Sequence, residues 1–590
     1  MTEPRTPLPA AAPAGRPAAR PEAHADDRST DHAAPDTVFV HGVLFDGSPA
    51  TASSVPGAVA VRDGRIVAVG SDDDVLALAG PSTTVVDLAG RLLVPGFQDT
   101  HVHPILAASM ARRLNVTGER TLAGTLAAIG AYAAAHPDEP WITGWGWNAD
   151  LFDGGLPTRE QLDALVADRP ALIHRGDGHA SWANSLAIAA AGLDDDGTGR
   201  PVADPPGGRV ERDADGRARG VLHEWATGLV ERLVPEASAD ERLRDLVAGQ
   251  TELLSVGITA WQDASVRPPE QEAYERAQAS GELRATVVGA LRWEHERGME
   301  QVAELVARRD ARTGAAGGTF RPTSVKLMLD GVVDGSLTAA MLDPYLDADG
   351  TESTNRGDTY LETDHLDAVV EALCVAGFQP HFHVIGDRAV RQALDALERT
   401  LGRHPELADA EGRLAVRPVL SHVQVVHPDD RARFGRLGVV VSAQPLWASC
   451  EDVQTELTIP FLGDERTAWQ YPFASLRDAG AVLAGGSDWP VSTPDPIQAI
   501  HVAVNRSLHG EDRPPLGADE AITLAQGLAA YTSGAAWANG LEGSHGRLAP
   551  GYAADLAVVD RDLFALAPEE IGAARVVQTW LRGALVFERD

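Results

Sequence analysis

Two histidines one residue apart, His101 and His103 in Asp99-Thr100-His101-Val102-His103, close the apolar run Leu92-Leu93-Val94-Pro95-Gly96-Phe97. In an extended strand, residues i and i+2 face the same way. Both imidazoles can therefore aim at one metal ion while Val102 turns away. Such pairs also arise by chance, and a single histidine is more often a cap, a surface residue or a satisfied core residue than a ligand. The rest of the chain sets this pair apart: Lys326, His383, His422 and Asp488 follow in order, each at or near the end of a short apolar segment. Imidazole and carboxylate donors suit Zn²⁺, Mn²⁺, Fe²⁺ or Ni²⁺ and choose poorly among them, with zinc the default expectation.

Residues so far apart in sequence need a scaffold that gathers strand ends. Strand-length apolar runs alternate with Ala/Leu-rich helical stretches, as in Leu366 to Ala376, then Phe378 to His383, then Ala389 to Leu401. Alternating β and α segments favour a parallel sheet. The two ends of the chain have a different texture. Ala58 to Val61 and Arg65 to Val69 flank Asp63-Gly64, a strong hairpin signal, and Val576 to Trp580 and Ala584 to Glu588 flank Arg582-Gly583. These β segments suggest one small sandwich built from both termini. Residues from about 136 to 258 are irregular and rich in Gly, Asp and Trp, and read as an insertion covering the mouth of the site. Residues 1–35 have no apolar core segment of a secretory signal and read as a disordered tail.

The motifs PGFQDTHVHP (95–104), LPTREQLDAL (156–165), GDGHASWANSLA (176–187), VKLMLDGVVDGSL (325–337), HFHVIGDRA (381–389), SHVQVVHP (421–428) and GGSDWPVSTPDP (485–496) resemble the amidohydrolase superfamily, and within it the YtcJ-like, amidohydrolase 3 group that includes N-substituted formamide deformylases. The resemblance runs from about residue 37 to the C-terminus. It implies an α/β fold, a TIM (β/α)8 barrel (96–545) with a small β-sandwich formed from both chain ends (36–95 plus 546–590). Catalytic residues of such barrels gather at the C-terminal ends of the strands. The family pattern puts His101 and His103 at strand 1, Lys326 at strand 4, His383 at strand 5, His422 at strand 6 and Asp488 at strand 8, all as metal ligands. His383 is preferred over its neighbour His381 because the family ligand directly precedes Val384-Ile385-Gly386-Asp387.

An unmodified ammonium has no lone pair to offer a metal. In the bimetal branch of the superfamily the lysine reacts with CO₂, and Lys326 lies in an apolar setting that favours the neutral amine. The resemblance thus implies two Zn²⁺ bridged by carbamylated Lys326, with one metal and plain lysine as the alternative. A divalent ion lowers the pKa of its water toward about 7 and polarises a carbonyl, and Asp488 is the expected general acid/base. Trp147, with Trp145 beside it, His179 and Asp330 are candidate substrate contacts, and Asp330, just past Lys326, is also a candidate for supporting the ligands from behind. Asp387 reads as the N-cap of a helix from Arg388, His427 precedes a helix start and reads as structural, and His174 gets no role.

The activity implied is hydrolysis of a non-peptide C–N bond in a linear amide. The alternatives are cyclic amide, carbamate or ester hydrolysis or deamination at the same site, and a non-catalytic metal-binding scaffold. The formal charge of −35 over 590 residues argues against nucleic acid or an anionic membrane as a partner. Two cysteines, Cys374 and Cys450, cannot build a disulfide framework and fit a reducing cytoplasm. A small-molecule substrate, and a homodimer as in many relatives, are the partners expected.

Overall fold

A computed structural model describes residues 34–589 except 153–154, 177–179, 196, 198, 206–207, 314–317 and 348. The tail read as disordered lies, for residues 1–33, outside the described residues. Eight parallel strands make one sheet: β1 (Phe97–Val102), β2 (Ile258–Val266), β3 (Thr286–Arg292), β4 (Phe320–Met328), β5 (Gln379–Val384), β6 (Val419–His422), β7 (Val440–Ala443) and β8 (Val482–Gly485). Each pairs with the next in chain order, and β8 returns to β1. There Thr100 Oγ1 donates to the Gly485 carbonyl at 3.0 Å, Asp488 N to the His101 carbonyl at 2.7 Å and His103 N to the Trp489 carbonyl at 3.0 Å. This is a TIM-like barrel.

Helices follow the strands and cover the sheet. Pro104, Pro268, Pro428 and Pro496 open the helices after β1, β2, β6 and β8, where a missing N–H costs nothing. Gly281 and Gly438 end two of them in the left-handed region, at φ 79° and 71°. The helix Asp387–Arg403 shows how the ring is held: Ala389, Val390, Ala393, Leu394 and Leu397 form one buried stripe, packed in the same core as Leu366, Val369, Val370 and Leu373 of Thr363–Val375.

Both chain ends join a second sheet. Thr37–Leu44 pairs with Val55–Arg62 along its length, while its other edge takes Thr84–Asp87 first and Leu92–Pro95 after. Leu92–Pro95 in turn pairs with Leu556–Val559, which continues into Val576–Leu581 and Ala584–Glu588. The sheet folds over on itself, so Phe39 meets Trp580 edge-on with ring centroids 4.9 Å apart. Both expected hairpin turns form, with Asp63 and Gly64 at φ 52° and 72° and Arg582 and Gly583 at 46° and 74°.

A third sheet is inserted between β1 and β2. Its strands run from Leu114–Asn115 to Ala218–Glu224, with the helix Leu122–Ala135 packed on it through Ile129 and Ala133. The insertion thus starts ahead of residue 136. Leu122–Ala135 is Ala-rich and reads like any barrel helix; only the position of its partner sheet distinguishes it. Among the described residues no helix is long and apolar enough to cross a membrane.

Candidate metal centre

The C-terminal ends of β1, β4, β5, β6 and β8 bring the six candidate residues together. His101 is inside β1 and His103 just beyond its end, with Asp488 between their rings: Asp488 Oδ1 lies 3.5 Å from His101 Nε2 and 3.1 Å from His103 Nε2. Lys326 Nζ is 3.2 Å from His101 Nε2. His422 stands 4.7 Å from the His101 ring and 4.4 Å from the His383 ring, centroid to centroid. One ligand atom from each of His101, His422 and Asp488 fits within a 4.8 Å span. His422 and Asp488 both hold left-handed backbone, at φ 74° and 55°. Such strain in residues with a Cβ costs on the order of 1–3 kcal/mol and collects at functional sites.

The donor set fits a metal ion. Both ring nitrogens of His422 are buried without a hydrogen-bond partner among the described residues. Leaving such an atom unpaired costs about 1–3 kcal/mol, and a coordinated cation would remove that cost at one of the two. Burial pulls the His383 imidazole down to about 3 and holds His101 and His422 well below the usual range, with the Lys326 charge adding to the effect. These rings are therefore neutral, the form that ligates. Burial also pulls Lys326 down to about 7, against the opposing attraction of Asp488. His383 Nε2 faces the Gly331 carbonyl at 3.2 Å, leaving Nδ1 as its free donor atom.

The surrounding residues position the site, and most of them carry no sequence signal of their own. His101 Nδ1 meets Ser421 Oγ at 2.8 Å, and His381 Nε2 reaches both Ser421 Oγ at 2.6 Å and His101 Nδ1 at 2.9 Å. His381, set aside in favour of His383, thus lies one pleat deeper and touches the far side of His101. A partner on the second ring nitrogen fixes the tautomer and aim of a metal-binding histidine. Asp99, fully buried, accepts from His101 N at 2.8 Å and from Ser487 N at 3.1 Å, tying β1 to the loop that carries Asp488. Burial raises its carboxyl to about 7. Gln444 Oε1 accepts from His422 N at 2.9 Å, and the Trp447 ring stacks on His422 at 5.2 Å, 7° from parallel. Gly486 fits closely: a Cβ there would sit 2.9 Å from His101 Cβ and from Gln444 Nε2.

The expected substrate contacts fare differently. Trp147 is fully buried in the core of the inserted sheet, donates from Nε1 to the Ile173 carbonyl at 2.9 Å and packs edge-on against Phe152. It is a core residue, not part of an aromatic wall. Trp145 tilts against His174, 5.6 Å away. His179 lies outside the described residues. Asp330 is also fully buried, and its carboxylate is taken up by backbone N–H groups. It accepts from Ala340 N at 3.0 Å and Gly386 N at 2.8 Å, with Oδ1 3.9 Å from His383 Nε2, so it anchors the loops behind that ring. His427 caps the helix Pro428–Leu437, accepting from Asp429 N at 3.2 Å. Asp387 is not a cap. It opens its helix after Gly386 and accepts instead from Leu342 N at 2.8 Å.

Residues 84–587 match the model of the amidohydrolase family. The YtcJ protein of Bacillus subtilis, named as an amidohydrolase, is 29% identical over 90% of this chain and 96% of its own. The N-substituted formamide deformylase of Arthrobacter pascens is 28% identical over 90% of this chain and 95% of its own. Protein LONG AFTER FAR-RED 3 of Arabidopsis thaliana is 29% identical over 94% and 91%. Among solved structures, an uncharacterized metal-dependent hydrolase from Pyrococcus furiosus is similar with a TM-score of 0.70 at 24% identity, covering 89% of this chain and 99% of that one. Its counterpart from Pyrococcus horikoshii gives 0.72 at 23%, covering 90% and 99%. At these identities the structural likeness speaks for the fold.

Proposed function

The chain belongs to the amidohydrolase family, and on that premise we propose that it hydrolyses a linear amide, such as an N-substituted formamide or an N-acyl amine, with metal held by His101, His103, Lys326, His383, His422 and Asp488. The observation that carries the reading is the convergence of His101, His422 and Asp488 beside the two orphaned ring nitrogens of His422. The similarity to a formamide deformylase supports the choice of a linear amide.

A bound divalent ion supplies Lewis acidity and a more acidic water. The chain's own groups do the rest. Asp488 Oδ1, beside His103 and His101, takes the proton of the attacking water and returns it to the leaving nitrogen as the C–N bond breaks. His101 is kept on aim by Ser421 and His381.

Lys326, desolvated to about 7, presents its neutral amine near neutral pH. We take it to add CO₂ and lose one proton, giving a carbamate whose oxygens would help hold two Zn²⁺. Two free cysteines fit a cytoplasmic protein.

Elemental mass spectrometry of the purified protein and an amide panel test this. Near two equivalents of metal per chain, with hydrolysis of N-benzylformamide that falls about 100- to 10,000-fold in Asp488→Asn, is the expected result. Failure to bind metal with bicarbonate present would remove the reading.

A further inference from the structure

The six candidate ligands come from five strands, and β2, β3 and β7 supply none of them. Arg292 is the last residue of β3 and pairs in register with Lys326 of β4. In-register residues of neighbouring strands point to the same face, so Arg292 and Lys326 share the inner face at the barrel mouth. Its side chain is 33% exposed. Its partners are weak: Ser265 Oγ lies 3.4 Å from Nη1, and Glu294 Oε2 lies 3.9 Å from Nε in a half-exposed pair. Each contact is made by a single nitrogen, so neither is the two-pronged pairing that fits a carboxylate.

His295 follows in the same loop. Both its ring nitrogens are buried and unpartnered among the described residues. Burial, and then the Arg292 charge, keep the ring neutral, so one nitrogen carries a hydrogen to donate. The loop is fixed, because Gln301 Oε1 accepts from Glu294 N at 3.0 Å and Gln301 Nε2 donates to the Glu294 carbonyl at 2.9 Å. The His295 ring stands 5.7 Å from that of Tyr360. The Tyr360 hydroxyl lies against Gly331, only 3.0 Å from where a Cβ would be, and Gly331 in turn holds His383. Arg292, His295 and Tyr360 thus form one wall running from β3 to the metal centre.

We propose that this wall is an anion subsite, and that the amide hydrolysed here bears a carboxylate, bound by Arg292 and His295, on the part of the substrate beyond the scissile bond. The proposal rests on the hydrolase reading and deepens it. The overall negative charge of the protein is no obstacle, since exposed charges are screened beyond about 8 Å at physiological salt.

The test compares N-formylphenylalanine with its neutral carboxamide, in the wild type and in Arg292→Gln. The wild type should favour the carboxylate in kcat/KM by about tenfold or more, and Arg292→Gln should erase that ratio. The ratio is read because any general damage to the site cancels in it. A wild type that does not distinguish the pair, or a variant that keeps the preference, overturns the subsite. Should neither compound be hydrolysed, the hydrolase reading is decided on its own by metal content and the amide panel. The subsite is then judged by binding of the same pair, followed by quenching of Trp293 and Trp447 fluorescence, where equal affinities overturn it.

Discussion

Gly486→Ala tests the geometry of the metal centre most directly. Its new Cβ would stand 2.9 Å from His101 Cβ, 2.9 Å from Gln444 Nε2 and 3.0 Å from Ser442 Oγ. None of these can step aside freely. The His101 contact is next to its backbone, and Gln444 is held by His422 N at 2.9 Å. The backbone at Gly486 is not left-handed, so the effect is steric alone. Overpacking of this kind costs about 1–3 kcal/mol. The movement must fall on His101 or, through Gln444, on His422. Small displacements behind a ligand weaken metal binding by about 10- to 100-fold. Two assays separate the effects: denaturant unfolding of the metal-free protein, and metal retention against a competing chelator. Gly402→Ala is the control. In the helix Asp387–Arg403 its Cβ meets nothing within 4 Å, so it should gain about 0.5–1 kcal/mol and leave metal binding alone. A Gly486→Ala protein that unfolds and holds metal like the wild type would refute the packing described around His101.

Ser421→Ala removes the oxygen shared by His101 Nδ1 and His381 Nε2; it should weaken metal retention about 10- to 100-fold with little change in overall unfolding. An unchanged chelator titration would deny Ser421 a positioning role. Trp147→Ala should cost about 3–5 kcal/mol in stability of the inserted sheet and leave KM for small amides unchanged, whereas a selective rise in KM at undiminished stability would restore it to the substrate wall. His501, 2% exposed, accepts from Gly572 N at 3.1 Å, and burial lowers its pKa to about 4. The unfolded chain, with an ordinary value near 6.5, binds more protons between those limits. Stability is therefore full above about pH 6.5 and falls toward pH 4, by on the order of 3 kcal/mol from this one group. Urea midpoints at pH 7.5 and 4.5 should differ less in His501→Gln, and an identical pH slope would sink the assignment.

Local signals in the sequence were readable and non-local ones were not. The Asp63-Gly64 and Arg582-Gly583 turns dictate their hairpins through a few residues, and the alternation of apolar strands with Ala/Leu-rich helices is enough for a parallel sheet, its closure into a barrel being what the family resemblance implied. His101 and His103 stand out because their spacing matches the strand repeat. Ser421, Asp99 and Gln444 did not, since each acts through a neighbour that only barrel closure supplies. Trp147 misled because an aromatic in Gly-Trp-Gly-Trp looks the same whether its partner is a ligand or a second layer. The burial of Asp330, likewise, depends on loops from β4 and β5 meeting. Arg292 carries no motif at all and becomes interesting only once it is seen in register with Lys326.

The sheet shared by the two chain ends has a consequence for how the protein is made. Ser54 Oγ donates to Asp562 Oδ2 across 508 residues of chain, and Leu92–Pro95 waits for Leu556–Val559 to cover its edge. At about 5–20 residues per second, the first strands leave the ribosome roughly 25–100 s before their partners exist. During that interval Leu92, Leu93 and Val94, fully buried in the finished protein, form an open apolar edge. The same delay holds for β1, which carries the first histidines and is sealed only when β8 arrives. The centre therefore cannot be completed before Asp488 has been made, late in synthesis. A ribosome that stalls short of β8 releases a chain with neither a closed barrel nor a metal site, and with a sticky edge that a chaperone or protease can recognise.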